Sequence, residues 1–261
     1  MGGDALGVGG AAVLGVCLGS FLNVCIARLP AEDPKARSLV HPPSSCPRCH
    51  HRIAWYDNIP IVSWLLLGAK CRYCREPISA QYPLVEAAVG ALWIAAVAYY
   101  GVTFEALRGA LFGTVLLGIA IIDARHQIIP HELNFGGLIL GLGLSLHGGA
   151  PTFVTAVLGA AVGMGVLWAV RIIGGWVFKE EAMGLGDVFM MAMVGSFVGW
   201  KGVLLTIFAG ALFGTAVSLP QVVTRRRRVV PFGVYLAVGA AVTFVFGEGL
   251  IEWYLQFLHG S

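Results

Sequence analysis

The chain has 261 residues, 57% of them hydrophobic and only 12% charged, with a formal net charge of +3. Its strongly positive mean hydropathy lies outside the range of soluble globular domains, so a water-soluble enzyme is excluded and a polytopic membrane protein is expected.

A span needs roughly 20 mostly apolar residues to cross the hydrocarbon core. That ruler places about eight helical spans, near 5–27, 83–100, 106–123, 133–148, 152–178, 187–200, 202–222 and 230–247. The sixth, beginning at Asp187, is barely long enough. The first apolar stretch lacks the short h-region and small-residue cleavage site of a secretory signal, so it reads as a retained span. The expected fold class is all-α, with three parts: a first transmembrane helix (1–27), a cytoplasmic loop domain (28–82) and a seven-helix membrane domain (83–261).

Orientation follows from Lys and Arg, which gather in cytoplasmic loops. Arg28, Lys35, Arg37, Arg48, Arg52, Lys70, Arg72 and Arg75 fall in the first loop, Arg125 in the third, Lys179 in the fifth and Arg225 to Arg228 in the seventh. Only Arg108 and Lys201 lie in or beside even-numbered loops. The odd loops are therefore expected in the cytoplasm and both termini outside. The basic residues track topology, so they read as membrane-orienting and as no nucleic-acid footprint. The Arg225 to Arg228 run reads as an anchor at the anionic leaflet of the lipid bilayer.

The first loop carries Cys46-Pro47-Arg48-Cys49 and Cys71-Arg72-Tyr73-Cys74, two pairs separated by 21 residues. So short a segment buries too little apolar surface to fold easily alone, and a metal is one usual remedy. Paired Cys-x2-Cys motifs suit tetrahedral zinc, each pair supplying one edge of the tetrahedron. Four thiolates leave no position for water, so Cys46, Cys49, Cys71 and Cys74 are expected to hold a structural zinc. Redox dithiols or disulfides are the competing reading, disfavoured in a reducing compartment. His50 and His51 follow the first pair and are potential substitute ligands. Cys17 and Cys25 lie in the first span and read as small apolar packing residues.

Two acids stand out against this apolar background. Asp123 ends the third predicted span, ahead of Arg125, His126 and Pro130; Asp187 follows Gly184-Leu185-Gly186. On the predicted topology both lie at the cytoplasmic edge. Carboxylates in a hydrophobic span are expensive and usually functional. Two brought together share a proton, one acting as base on water and the other as acid on a carbonyl or leaving amine. The bland alternatives are a helix cap for Asp187 and pairing with Arg125 or His126 for Asp123. His41, His126 and His131 read as solvated loop residues, and Glu132 as a helix-start acid. No Gly-x-Ser-x-Gly elbow or His-Glu-x-x-His helix is present.

An ordered set of motifs runs through almost the whole chain. It comprises Gly19-Ser20-Phe21-Leu22-Asn23-Val24, Arg28-Leu29-Pro30, the cysteine pairs, Asn58-Ile59-Pro60, Ile78-Ser79-x-x-Tyr82-Pro83-x-x-Glu86, Asp123 with Pro130, Glu181-x-Met183-Gly184-x-Gly186-Asp187 and Pro231-Phe232-Gly233. Together they resemble the bacterial type IV prepilin peptidases, aspartyl proteases of the Gly-x-Gly-Asp type in the inner membrane. The resemblance implies that Asp123 and Asp187 are catalytic, supported by Gly184, Gly186 and Pro130. It also implies prepilin and type II secretion pseudopilin substrates, cut after a Gly that ends a basic leader. Many relatives also methylate the new N-terminus with S-adenosylmethionine, and Glu86 is a candidate contributor to that cofactor's site, with capping or packing as its alternative. Relatives often carry Lys two residues after the second Asp, where this chain has Phe189. Glu180, Glu181 and Asp187 are candidate attractors of the basic leader. Two further readings stay open: a transporter or proton relay using the carboxylates, and a non-catalytic pilus assembly factor.

Overall fold

A computed structural model describes residues 2–33, 35–147, 151–179, 183–223 and 231–259. Arg225 to Arg228, Glu180 and Glu181 lie outside the described residues. The helices are α1 (Gly2–Arg28), α2 (Val62–Leu66), α3 (Gln81–Tyr100), α4 (Phe104–His126), α5 (His131–Ser145), α6 (Phe153–Phe178), α7 (Leu185–Val223) and α8 (Phe232–His259). A 3-10 turn covers Trp55–Asn58. No extended strand occurs among the described residues; two isolated bridges lie in the first loop. In hydrocarbon the helix satisfies every backbone group within one segment, so an apolar chain of this composition has little alternative.

Six of these helices (α1, α3, α4, α6, α7 and α8) are long and apolar enough to cross a membrane. The structure accounts for the difference from eight. With 15 residues, α5 is shorter than a full span of roughly 20. The predicted sixth and seventh spans form one continuous run of 39 residues that breaks at Gly199, where φ is 70° and ψ is 179°. That run is a hairpin. A Cβ on Gly163 would strike both the Met191 carbonyl and Val203 Cγ2. In a straight helix, Met191 and Val203 would stand about 18 Å apart. The chain therefore turns back at Gly199, close to the loop expected between spans six and seven. Other boundaries shift outward: α7 begins at Leu185, two residues before Asp187, and α4 runs three residues past Asp123.

The chain divides into two compact units, Met1–Thr114 and Val115–Ser261. In the first, α1 and α3 pack antiparallel through small residues. A Cβ on Gly15 would lie 2.8 Å from Gly90 Cα, and one on Gly19 would lie 2.7 Å from Glu86 Cα. Membrane helices approach this closely only where side chains vanish. Trp93 Nε1 donates to Thr114 Oγ1 at 3.1 Å, and that hydroxyl donates to the Ala110 carbonyl at 2.7 Å. Cys25 is buried as a packing residue should be, whereas Cys17 is exposed on α1.

In the second unit, α7 is the central element, with α5, α6 and α8 packed on it. Val188, Met190, Met191, Met193 and Val194 are fully buried. The backbones of Gly159 and Gly195 meet where α6 crosses α7, and a Cβ on Gly159 would also lie 2.8 Å from Gly199 Cα. Gly159→Val is therefore expected to lower the thermal midpoint of the detergent-purified protein, by an overpacking cost of about 1–3 kcal/mol. Gly165→Val on the same helix, where nothing lies within 4 Å, is the matched control and should leave the midpoint nearly unchanged.

Candidate active site

The C-terminal end of α4 and the N-terminal ends of α5, α7 and α8 meet at one end of the second unit. Asp123 lies in the last turn of α4 and is 5% exposed. Its Oδ2 accepts the Val234 N–H at 3.1 Å, in the first turn of α8. The first amides of a helix have no partner within it and carry partial positive charge, so a carboxylate is well matched there. Gly233 makes this approach possible. A Cβ on that residue would lie 2.9 Å from Asp123 Oδ2 and 2.7 Å from Ile129 Cδ1.

Behind Asp123, α4 ends on Gln127, whose φ is 55° and whose N–H donates to the Asp123 carbonyl at 2.9 Å. Pro130 is the N-cap of α5, with extended backbone. Between them, Ile129 forms a corner that meets both halves of the site. A Cβ on Gly186 would fall 2.8 Å from Ile129 Cβ and 3.2 Å from its carbonyl. The same residue thus touches the glycine before Asp187 and the glycine beside Asp123.

Asp187 is the third residue of α7, so it is not the cap that its sequence position suggested. Its carboxylate reaches back to the Gly184 N–H, the return half of a capping box. A Cβ on Gly184 would be 3.4 Å from Asp187 Oδ2. The other oxygen, Oδ1, is buried and has no hydrogen-bond partner among the described residues.

Two residues that sequence reasoning passed over hold this turn in place. Asn134 of α5, 1% exposed, donates from Nδ2 to the Gly186 carbonyl at 3.0 Å. Arg171 of α6 donates to the Met183 carbonyl. An Asn inside an otherwise apolar helix, four residues after Pro130, was the available signal for the first. Arg171, a cation near the end of an apolar span, was the signal for the second. The position of Phe189 is aromatic in character: its ring lies 5.3 Å from that of His131 and 5.2 Å from that of Phe135. His126 and His131 are helix-end residues and not loop residues, while Glu132 does stand in the first turn of α5.

The first unit contains the cysteine cluster. The ligand atoms of Cys46, Cys49, Cys71 and Cys74 all lie within 4.8 Å of one another, and Cys46 Sγ to Cys74 Sγ is 3.8 Å. Zn–S bonds near 2.3 Å in a tetrahedron put sulfurs about 3.8 Å apart, whereas a disulfide needs about 2.05 Å. All four are free thiols. The two motifs fold alike. Cys46 N–H donates to the His51 carbonyl at 3.0 Å and Cys71 N–H to the Glu76 carbonyl at 2.8 Å. His50 and Arg75 take the same left-handed turn, with φ of 57° and 61°. Amides of Cys74 and Tyr73 aimed at Cys71 lower its thiol to about 7. The Glu76 amide pulls Cys74 down, yet desolvation and the other three sulfurs push it up to about 12. Such crowding of thiols is relieved by a shared cation. His51 stacks on Tyr73 with centroids 3.5 Å apart, outside the cluster of four.

Glu86, also in the first unit, is 5% exposed in the second turn of α3. Its Oε2 accepts the Ile61 N–H at 2.7 Å. One turn earlier, the Tyr82 carbonyl accepts from Asn23 Nδ2 at 3.0 Å, leaving Asn23 Oδ1 buried without a partner among the described residues.

Comparison with known proteins places the chain. Residues 13–100 match the family described as the bacterial peptidase A24 N-terminal domain, and residues 110–219 match the type IV leader peptidase family. Three relatives are each named prepilin leader peptidase/N-methyltransferase. One from Stutzerimonas stutzeri is 38% identical over 95% of this chain and 93% of its own length. One from Pseudomonas aeruginosa is 36% identical over 94% and 92%. One from Myxococcus xanthus is 41% identical over 79% of this chain, which spans 61% of that relative's length. No solved structure matches. On these matches, with its two-part architecture, the chain belongs to the type IV leader peptidase family.

Proposed function

We propose that this multi-pass membrane protein is a prepilin leader peptidase and N-methyltransferase in which Asp123 and Asp187 form the catalytic pair. The observation that supports the assignment is their convergence on the Ile129 corner, one carboxylate on the first amides of α8 and the other with a buried oxygen that has no hydrogen-bond partner among the described residues. A buried oxygen without a protein partner takes its bond from water or substrate. One aspartate withdraws a proton from the attacking water while the other donates to the scissile carbonyl oxygen; collapse then transfers a proton to the leaving amine.

Both acids sit at helix ends, which disfavours the ion-pathway reading. The first arm of α7, from Leu185 to Val198, and the 15-residue α5 are each roughly 8 Å short of a hydrocarbon core about 30 Å thick. Water therefore has the shortest path to the pair from this end. The distribution of Lys and Arg supports a position for that end on the cytoplasmic face of a bacterial inner membrane, where a basic leader would join the apolar helix of a prepilin or pseudopilin. In detergent, Asp123→Asn and Asp187→Asn are each expected to slow prepilin cleavage by at least about 10²-fold, as expected for losing a general acid or base. Unimpaired processing by either variant would reject the pair.

The cysteine cluster is proposed to hold one structural zinc. Its geometry fits the ion, and four thiolates would close the coordination shell. Metal analysis should find about one zinc per chain, absent from the Cys71→Ser/Cys74→Ser variant, which should be more readily proteolysed between α1 and α3. A folded, metal-free wild type would contradict this.

For methylation, Glu86 and Asn23 are proposed to contribute to S-adenosylmethionine binding. Glu86 accepts from the Ile61 N–H and from the Ser20 side chain, and Asn23 Oδ1, near the Tyr82 turn one helical turn away, is a buried acceptor with no partner among the described residues. Acceptors of this kind fit an ammonium or ribose hydroxyl; when bound, the cofactor supplies an electrophilic methyl group. Equilibrium binding of S-adenosylhomocysteine to the full-length protein should weaken at least several-fold in Glu86→Gln, with leader cleavage retained. Unchanged affinity would remove Glu86 from the cofactor site.

A further inference from the structure

The segment between the two cysteine pairs does something that neither metal binding nor cleavage explains. Its 3-10 turn and α2 expose Trp55 (80%), Val62 (47%), Leu65 (63%) and Leu66 (83%). In a loop expected to stand in water, so dense a set of bare apolar side chains marks an interaction surface.

The depth of this segment is fixed by Glu86. That carboxylate belongs to α3, whose apolar span begins at Gln81. Side chains on a helix lean toward its N-terminus, so the Glu86 carboxylate lies level with the first turn of α3. Ile61 N–H reaches it at 2.7 Å. Ile61 has φ 63° and ψ −51°, a conformation that a β-branched residue rarely adopts, and it caps the start of α2. The chain is thus bent to bring α2 down to the level where α3 enters the apolar layer. Trp64 Nε1 donates to the Ile78 carbonyl at 3.2 Å, and Ser63 Oγ donates to the Tyr56 carbonyl at 2.8 Å, so these two polar groups of α2 are turned toward the protein.

We infer that Trp55 to Leu66 lies in the interfacial layer of the protein's own bilayer, as a short monotopic element that seats the metal-binding loop on the lipid surface. The occupant of the exposed face is lipid. At the level of Glu86, where Gly19 of α1 packs on α3, these helices expose Phe21 (50%) and Leu84 (67%), side chains that face acyl chains when α1 and α3 span a bilayer. Tryptophan is favoured where acyl chains meet headgroups. Both ends of the loop are tethered to spans, so the element need supply only orientation, and a few large side chains suffice.

The test uses full-length protein in phosphatidylcholine–phosphatidylglycerol nanodiscs, in a Cys17→Ala/Cys25→Ala background with its metal retained. An environment-sensitive thiol fluorophore is placed at Leu66→Cys and, separately, at Leu65→Cys, with the unsubstituted background as blank. Leu66 is so exposed that its replacement disturbs little packing, and metal content reports folding in each variant. Lipid bearing a nitroxide near the headgroup should quench both positions several-fold more than aqueous iodide does. Dominant iodide quenching would overturn the proposal. So would a label that leaves water only when a prepilin is added, since that outcome assigns the face to a protein partner.

Discussion

A carboxylate that must work at the edge of hydrocarbon needs donors that bring no second charge with them. The start of a helix provides such donors, and Asp123 takes the Val234 amide at 3.1 Å in the first turn of α8. Much of the local architecture follows from that one bond. The backbone of α8 must come to the carboxylate, so residue 233 must lack a side chain. Ile129 must fill the corner left over, and Gly186 must then let α7 approach Ile129 from the other side. The glycines near the site are spacers that allow three helix ends and one loop residue to share a small volume.

Asp187 is held differently, which gives the two acids different environments. It folds back on its own helix start at Gly184, and the turn that carries it is tied to α5 through Asn134 and to α6 through Arg171. Asp123 is thus fixed by a neighbouring helix, whereas Asp187 is fixed by its own turn. Two residues after Asp187, Phe189 packs among His131 and Phe135.

The helical class, the acids and the thiol pairs were legible because each is a local pattern: apolar runs, a charge where none is cheap, and a fixed ligand spacing. The Gly199 reversal was legible to within a few residues, because the expected sixth and seventh spans part at 200–202 beside Lys201. What eluded the sequence was set by tertiary geometry. The start of α7 at Leu185 moves Asp187 from cap to third residue, a shift of three positions that no propensity resolves. Asn134 gains meaning only when α5 is laid beside the Gly-x-Gly-Asp turn, and Glu86 only when Ile61 is bent toward it. The strained backbone of Ile61 had no sequence signal at all.

The central claim is spatial, that two acids 64 positions apart in sequence converge on the Ile129 corner. Its most direct measurement is cross-linking of an Asp123→Cys/Asp187→Cys double variant, in membranes and in a Cys17→Ala/Cys25→Ala background, with a short bifunctional thiol reagent. Peptide mass spectrometry should find the 123–187 cross-link as the major product, and it should disappear in either single-cysteine variant. Two thiols that each react singly yet never become joined would contradict the account.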